Sequence, residues 1–357
     1  MSPEPPDSFA KVSAAADAAA YQRFLGACRQ FWAKPLFQAL QRQVQAELAA
    51  NPAATQDFDA FLARHPTHQY FAWLERHIQR LKYSGRWGVV AAIQADRSAS
   101  AAALRQPLPD GLLTLDAALK PPAYYREYDI HQHPGGLWED EIAGLVYRES
   151  ARQSGGVVGA PGMHGRFARI AIGAGRPARI LDLGCGFGAS TAAFAAEARG
   201  ASVVGIDLSA GCLRLAAAEL PVELRGRVAY RQADVLAAPY RDGEFDLVTS
   251  TMLLHEMPEE AIHKLIVETG RLLAPGGIAV HLDFLPPADP LLRSLYAGHS
   301  RRNNEPFMAG LGRIDFPAAY ARAGFRNVEI IPFQERGESS QRGDHWRLPW
   351  TIIRAQK

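Results

Sequence analysis

The residues best suited to chemistry fall in a few short stretches. Asp182 lies in an apolar run, Ile180 to Leu183, and is followed by Gly184, Gly186 and Gly188. Asp207 and Leu208 follow the run SVVGI, Asp234 and Val235 come after Val228 to Gln232, and Ser250, which ends FDLVTS, is followed by Thr251, with His255 shortly after. Glycines let backbone approach a ligand and turn where side chains would clash. An acid at the end of a second strand can accept both hydroxyls of a ribose. An imidazole, with an ordinary pKa near ~6.5, can take a proton at neutral pH. Asp207, just before Leu208-Ser209, also suits a plain helix N-cap, and His255 could equally pack against or cap the helix that follows.

A second group lies upstream, in PPAYYREYDIHQHPGG from Pro121 to Gly136. Tyr124, Tyr125, Tyr128, Asp129, His131 and His133 crowd ahead of a Pro-Gly-Gly turn. Rings with polar tips can bury a face against a ligand while directing a hydroxyl at it. The stretch reads as a wall of a substrate site or as a packed connector between domains. The HxH spacing has no further ligand cluster beside it, so no metal is expected. Downstream, His281 and Asp283 alternate on a strand, and the polar run Arg301 to Phe307 includes Arg301 and Asn304. An Arg there could hold a carboxylate bidentately. The plainer reading of both is loop surface.

The elements that must position these groups alternate. Strands are expected at Ile180 to Leu183, Ser202 to Ile206, Val228 to Gln232, Phe245 to Ser250, Ile278 to Phe284, Val328 to Pro332 and Pro349 to Arg354. Helices are expected between them, including Leu208 to Leu220 and Glu259 to Leu273. Such alternation implies an α/β fold, a parallel sheet with helices on both faces. Right-handed crossovers then bring the carboxyl ends of the strands, and the polar residues there, to one crevice.

The loop has GxGxG spacing rather than the GxGxxG of dinucleotide enzymes, which argues against a nicotinamide cofactor. With ILDLGCGFG, VVGIDLS, QADV, FDLVTSTMLLHEMPEE and RLLAPGGIAV in this order, the chain resembles the class I S-adenosylmethionine (SAM)-dependent methyltransferases over about 178 to 285. The resemblance implies a Rossmann-like, mostly parallel seven-stranded sheet. It implies that Asp182 and Gly184 to Gly188 run along the methionine and ribose of SAM. Asp207 would bind the ribose hydroxyls, Leu208 would pack on the adenine, and Asp234 with Val235 would meet its amino edge. Thr251 belongs to the same set. LLHEMPEE is similar to the LHDWPDE stretch of small-molecule O-methyltransferases, which implies a general-base role for His255; Glu256 and Met257 depart from that pattern. Tyr124, Tyr125, Tyr128, His131, Arg301 and Asn304 are the expected acceptor contacts. The expected activity is methyl transfer from SAM to a small molecule, at oxygen by preference. The alternatives are use of SAM as sole substrate, by cyclising or cleaving its aminobutyrate arm, and a SAM-binding regulatory protein without turnover.

The N-terminal part, 1 to 125, lies outside that resemblance and is patterned as helices. Apolar residues recur at Phe24, Leu25, Cys28, Phe31 and Trp32, then at Leu36, Leu40, Val44 and Leu48, with Pro35 between two helices. Phe71, Leu74, Ile78 and Leu81 mark a further face. These helices are expected to form an all-α domain that caps the substrate or makes a homodimer interface, after a disordered lead-in over residues 1 to 8. Residues 126 to 175 read as a connector, with a helix from Leu137 to Gln153 and a Gly-rich linker, and 176 to 357 as the SAM-binding domain. Residues 99 to 122, rich in proline, read as a loop around a short helical piece.

Composition sets the remaining bounds. With 48% apolar and 21% charged residues and a net charge of +2, the chain has ample core material and no basic field for nucleic acid. Its three cysteines, Cys28, Cys185 and Cys212, form no CxxC pair, and MSPEPPDSFAK lacks the pattern of a signal peptide. No apolar run reaches the ~20 residues needed to cross a bilayer. A cytoplasmic protein with a small-molecule partner, and neither membrane nor nucleic-acid partners, is the expectation.

Overall fold

The computed structural model describes residues 7–138, 140–153, 162–173, 175–334 and 345–357. Of the expected lead-in, residues 1–6 lie outside the described residues, while Asp7 and Ser8 already begin a helix. In the expected Gly-rich linker, 154–161 and 174 lie outside them, and Met163–Ile172 is a helix, not linker. Eight strands form one sheet in the order β1-β4-β3-β2-β5-β6-β8-β7. They are β1 Leu113–Thr114, β2 Arg179–Leu183, β3 Ser202–Asp207, β4 Val228–Gln232, β5 Phe245–Thr251, β6 Leu273–Phe284, β7 Arg326–Pro332 and β8 Trp350–Gln356. β1 to β6 pair in parallel, while β8 runs antiparallel to both β6 and β7. The sheet is therefore the expected Rossmann-like one with an additional edge strand. β1 belongs to the segment expected to be loop. Its main chain bonds to β4 while its flanking prolines mask the short apolar pattern.

The order reverses between β2 and β3 on one side and β5 on the other, so the polar ends of β2, β3, β4 and β5 meet at one edge of the sheet. Helices flank both faces: Ala189–Glu197 follows β2, Ala210–Glu219 follows β3 and Glu259–Leu272 precedes β6. One apolar core lies between the sheet and the N-terminal helices, joining Phe37, Leu40 and Phe71 to Phe167, Val203 and Trp346. The other, around Leu181, Val248, Ile262, Leu272 and Phe316, fills the opposite face. The N-terminal helices thus share a core with the sheet instead of standing apart as a separate cap.

Three local expectations are corrected. Pro35 does not separate two helices; Asp7–Phe31 runs through a π-helical turn, Trp32–Leu36, into Phe37–Ala50. A π turn absorbs the missing N–H of proline without ending the helix. The connector helix begins at Ala143 rather than Leu137, and spans Ala143–Gln153, because the Pro-Gly-Gly turn continues into further turns through Trp138. Leu81 is exposed, while Phe71, Leu74 and Ile78 on the helix Pro66–Tyr83 are buried together with two charged residues, Glu75 and Lys82.

Candidate active site

The glycine loop after β2 is tied down from both sides. Asp182 is wholly buried, and its Oδ2 accepts the hydroxyls of Ser190 and Thr191, each at 2.6 Å, from the first turn of the helix Ala189–Glu197. Its Oδ1 is buried without a partner. Burial pushes the carboxyl up to about 6, against the pull of those two hydroxyls. Gly188 takes φ +82°, and a Cβ there would stand 2.5 Å from the Tyr230 hydroxyl and 2.8 Å from Ala216 Cβ. Both the left-handed backbone and the tight neighbours require glycine.

Asp207, at the end of β3, accepts Gly186 N–H with Oδ2 at 2.8 Å and Ser209 N–H with Oδ1 at 2.8 Å. The helix Ala210–Glu219 is capped by Ser209, whose Oγ accepts Cys212 N–H, and not by Asp207. Asp207 therefore faces the loop with lone pairs to spare. Burial also raises its carboxyl to about 6.

A cavity of about 900 Å³ opens over this loop. Gly184, Gly186, Asp207, Leu208, Val235 and Thr251 all line it, so most of the residues expected to hold a nucleoside converge on one space. Asp182, Gly188 and Asp234 are not among the lining residues: the first two brace the loop from behind, and Asp234 closes a turn by accepting Leu236 N–H at 2.8 Å. Tyr124 and Tyr125, expected against the acceptor, line this first cavity instead. Tyr147 and His164 line it too and were not foreseen, because neither is in a motif; both lie on helices before β2. Thr251 Oγ1 is buried without a hydrogen-bond partner on the cavity wall, a polar atom that a bound ligand would satisfy.

A second cavity, of about 930 Å³, adjoins the first through Tyr147, Phe187 and Met252, which line both. Its far walls come from the N-terminal helices through Arg29, Trp32, Ile78 and Lys82, and from the C-terminal part through Phe284, Asn303 and Glu305. Met252, at the junction, is held at φ 58°, a left-handed conformation that non-glycine residues seldom adopt. His131 shares this conformation, at φ 59°. Strained backbone of this sort persists where the surrounding structure over-determines it.

His255 lines the second cavity, only 2% exposed. Its Nδ1 lies 2.7 Å from Asp283 Oδ1 on β6, and Asp283 Oδ2 accepts Leu254 N–H at 2.7 Å. Asp283 therefore fixes both the ring and the short helical turn carrying it, and leaves Nε2 directed away from the carboxylate. Burial opposes charge on this imidazole, but Asp283 outweighs it and the pKa rises above its usual value. Asp283 and His281, whose plainer reading was loop surface, are both buried on β6; His281 lies against Ser250 Oγ at 2.7 Å, lines neither cavity, and is pushed down to about 4 by burial.

His131 lies beside His255, ring to ring at 6.0 Å, and bonds Glu256 through Nε2 and Glu305 through Nδ1, both at 2.9 Å. Burial disfavours its charge, yet two carboxylates on one ring hold its pKa up at about 10. His131, His255 and Glu256 place their ligating atoms within 4.8 Å of one another. Both nitrogens of His131 are already engaged, by Glu256 and Glu305.

The other expected acceptor contacts lie elsewhere. Tyr128 stacks edge-on against Phe307 at 5.6 Å and lines neither large cavity. Arg301 is exposed at the end of the helix Pro290–Arg302, and Asn304 spends its Nδ2 on the Asp129 carbonyl at 2.9 Å. The run Arg301 to Phe307 is not simple surface loop, since Asn303 and Glu305 beside them face the second cavity.

A parallel sheet whose switch-point loop is glycine-rich and faces an acid, with no Lys or Arg among the described residues that line the cavity, suits a nucleoside site of the SAM type. The sequence comparisons agree. Residues 180–277 match a family model described as a methyltransferase domain. Demethylmenaquinone methyltransferase of Thermus thermophilus is 38% identical over 160 residues, 44% of this chain and 70% of that protein. Trans-aconitate 2-methyltransferase of Methylobacterium radiotolerans is 38% identical over 160 residues, covering 43% of this chain and 57% of that one. A solved structure of a putative O-methyltransferase from Nostoc punctiforme aligns over 99% of this chain and all of its own, with 14% identity and a TM-score of 0.49. The chain belongs to the class I SAM-dependent methyltransferases, and SAM is its cofactor. It spans 50% to 70% of the length of such curated relatives, and no described helix is long and apolar enough to cross a membrane.

Proposed function

We propose that the protein transfers the methyl group of SAM to a small-molecule oxygen acceptor, with His255 as general base. The observation that supports this is the pair of adjoining cavities, with His255 in the wall of the second. SAM, when bound, supplies a methyl group made electrophilic by its sulfonium. Asp207 holds the ribose hydroxyls, Leu208 and Val235 flank the adenine, and Gly184 and Gly186 bring main chain against the ligand. Thr251 offers its unpartnered hydroxyl. Asp182, Gly188 and Asp234 act from behind, by shaping the loops.

The acceptor occupies the second cavity. His255, neutral at Nε2 and held by Asp283 through Nδ1, takes the acceptor's proton as its oxygen attacks. His131, kept charged by Glu256 and Glu305, braces the acidic residues around that base. Use of SAM as sole substrate would leave a second cavity of this size without an occupant, which favours transfer. The relatives' names give different acceptors, demethylmenaquinone and trans-aconitate, so the acceptor must be read from this chain's own second cavity. Phe24, Phe31, Tyr70 and Trp73 are exposed on the N-terminal helices, and support the reading that these helices form a homodimer face.

The test is His255→Ala in an assay of S-adenosylhomocysteine release with acceptor pools. Turnover should fall ~10²- to 10⁴-fold, the contribution of a positioned base, with SAM affinity little changed. Unchanged turnover would remove His255 from the chemistry.

A further inference from the structure

Between the two cavities stands a donor set that proton removal alone does not require. His131 and His255 line the second cavity and Glu256 the first. Each imidazole has a carboxylate behind it: Asp283 Oδ1 lies 2.7 Å from His255 Nδ1, and Glu305 Oε1 lies 2.9 Å from His131 Nδ1. The forward nitrogens approach Glu256, whose Oε1 stands 2.9 Å from His131 Nε2 and 4.0 Å from His255 Nε2. The ligating atoms of the three residues all lie within 4.8 Å of one another.

Two imidazoles and one carboxylate, with each imidazole backed by a further carboxylate, form the kind of set that holds a transition metal. An ion with bonds of ~2.1 Å keeps neighbouring donor atoms ~3.0 to 3.4 Å apart. The 2.9 Å contact has only to open slightly, and the wider ones to close by less than ~2 Å. His131 is presented from a left-handed backbone, φ 59°, of the sort that persists only where its surroundings hold it. The HxH spacing did not reveal this set, because His133 lies outside it and His131 meets Glu256 from 125 residues away.

A proton and a dication compete for such donors. In the proton-bound form His131 donates from Nε2 to Glu256; an ion takes the lone pairs of both Nε2 atoms and of the carboxylate, and releases that proton to solvent. Three carboxylates around two rings favour positive charge here, whichever carries it.

We propose that His131, His255 and Glu256 bind a divalent transition-metal ion of the zinc class, and that the bound ion inhibits methyl transfer. Imidazole suits such ions, whereas magnesium and calcium take oxygen ligands. The inhibition rests on the reading of His255 as general base, since the ion occupies the Nε2 lone pair that would receive the acceptor's proton. The binding does not rest on it.

The experiment is calorimetric titration of the full chain with zinc chloride, repeated with cobalt(II) for its visible spectrum. A single ion per chain is expected, with absorption bands of nitrogen and oxygen ligation. His131→Gln and Glu256→Gln should each weaken zinc binding ~100-fold or more, and Glu305→Gln ~10- to 100-fold, the cost of losing an outer partner. In the assay of S-adenosylhomocysteine release, saturating zinc should lower wild-type turnover ~10²-fold or more, the share of a positioned base, and EDTA should restore it. Absence of zinc binding, or binding that survives both His131→Gln and Glu256→Gln, overturns the site. Should those variants fail to fold, anomalous diffraction from wild-type crystals grown with zinc decides: a peak among the three side chains supports the site, and none there overturns it. Zinc bound there with turnover unchanged or raised, while His255→Ala loses turnover, overturns the inhibition. Failure of the general-base reading itself would show separately, as unchanged turnover in His255→Ala.

Discussion

The two adjoining cavities are nearly equal in size but built from different parts of the chain. The first is built on the carboxyl ends of β2 to β5, by short loops whose residues follow one another at fixed spacing, and is closed by Tyr124, Tyr125, Tyr147 and His164 from before β2. The second is assembled from the N-terminal helices, the turn containing His255, and the segment after β6, residues widely separated in sequence. Main chain and acids dominate the polar wall of one; histidines, buried carboxylates and two cations dominate the other. A cofactor common to a family fits the first arrangement. An acceptor particular to one enzyme fits the second.

The largest expected effect comes from the wall to which the proposal assigns the chemistry. Asp283→Asn should lower turnover ~10²-fold or more, with S-adenosylhomocysteine affinity unchanged by calorimetry. It should also shift the acidic limb of the pH–rate profile downward. The base acts when neutral, so rate rises with pH through the His255 pKa, and Asp283 holds that pKa above its usual value. If the limb moves upward instead, Asp283 does not act through His255. Next, Asp207→Asn should weaken SAM binding ~10- to 100-fold, the scale of hydrogen bonds to a charged group. Equal weakening by Asp283→Asn would erase the division between the two cavities.

A smaller effect concerns stability. The His131 pKa is raised from 6.5 to about 10 in the folded state. Its ion pairs therefore contribute stability that is fully present below about pH 6.5 and is lost as pH rises through about 10. The melting-temperature gap between the wild type and His131→Gln should narrow over that range; a gap that widens would contradict the charged imidazole. Smallest of all, Arg301→Ala and Asn304→Ala should leave kcat/KM within about twofold, since surface changes are usually worth little.

The same division explains what could be read from the chain alone. β2, β3 and β5 are apolar runs with an acid or hydroxyls at or beside their ends, so their periodicity and loop spacing reveal both the sheet and the wall of the first cavity. β1 could not be recognised because a strand of Leu113–Thr114 has no period of its own and exists only through pairing with β4. His255 was legible from its place after β5, whereas its partner Asp283 was seen only as an alternating strand residue. Glu75, Lys82 and Arg29 were hidden among the apolar stripes of helices that read as plain core. They reach the second cavity because the helices dock on the sheet, an outcome of tertiary packing that no local spacing encodes. Tyr124 and Tyr125 show the converse: their place in the wall of the crevice was legible, and tertiary packing decides that they line the first cavity.

The central claim is that cofactor and acceptor occupy separate, touching cavities with His255 on the acceptor side. Crystallography of the S-adenosylhomocysteine complex tests it most directly. The adenosine should lie over Asp207, Leu208 and Val235, with the sulfur directed to the junction at Phe187 and Met252 and with His255 facing it from the second cavity. A ligand whose sulfur points away from that junction, or whose body fills the space between Lys82 and His255, would contradict the account.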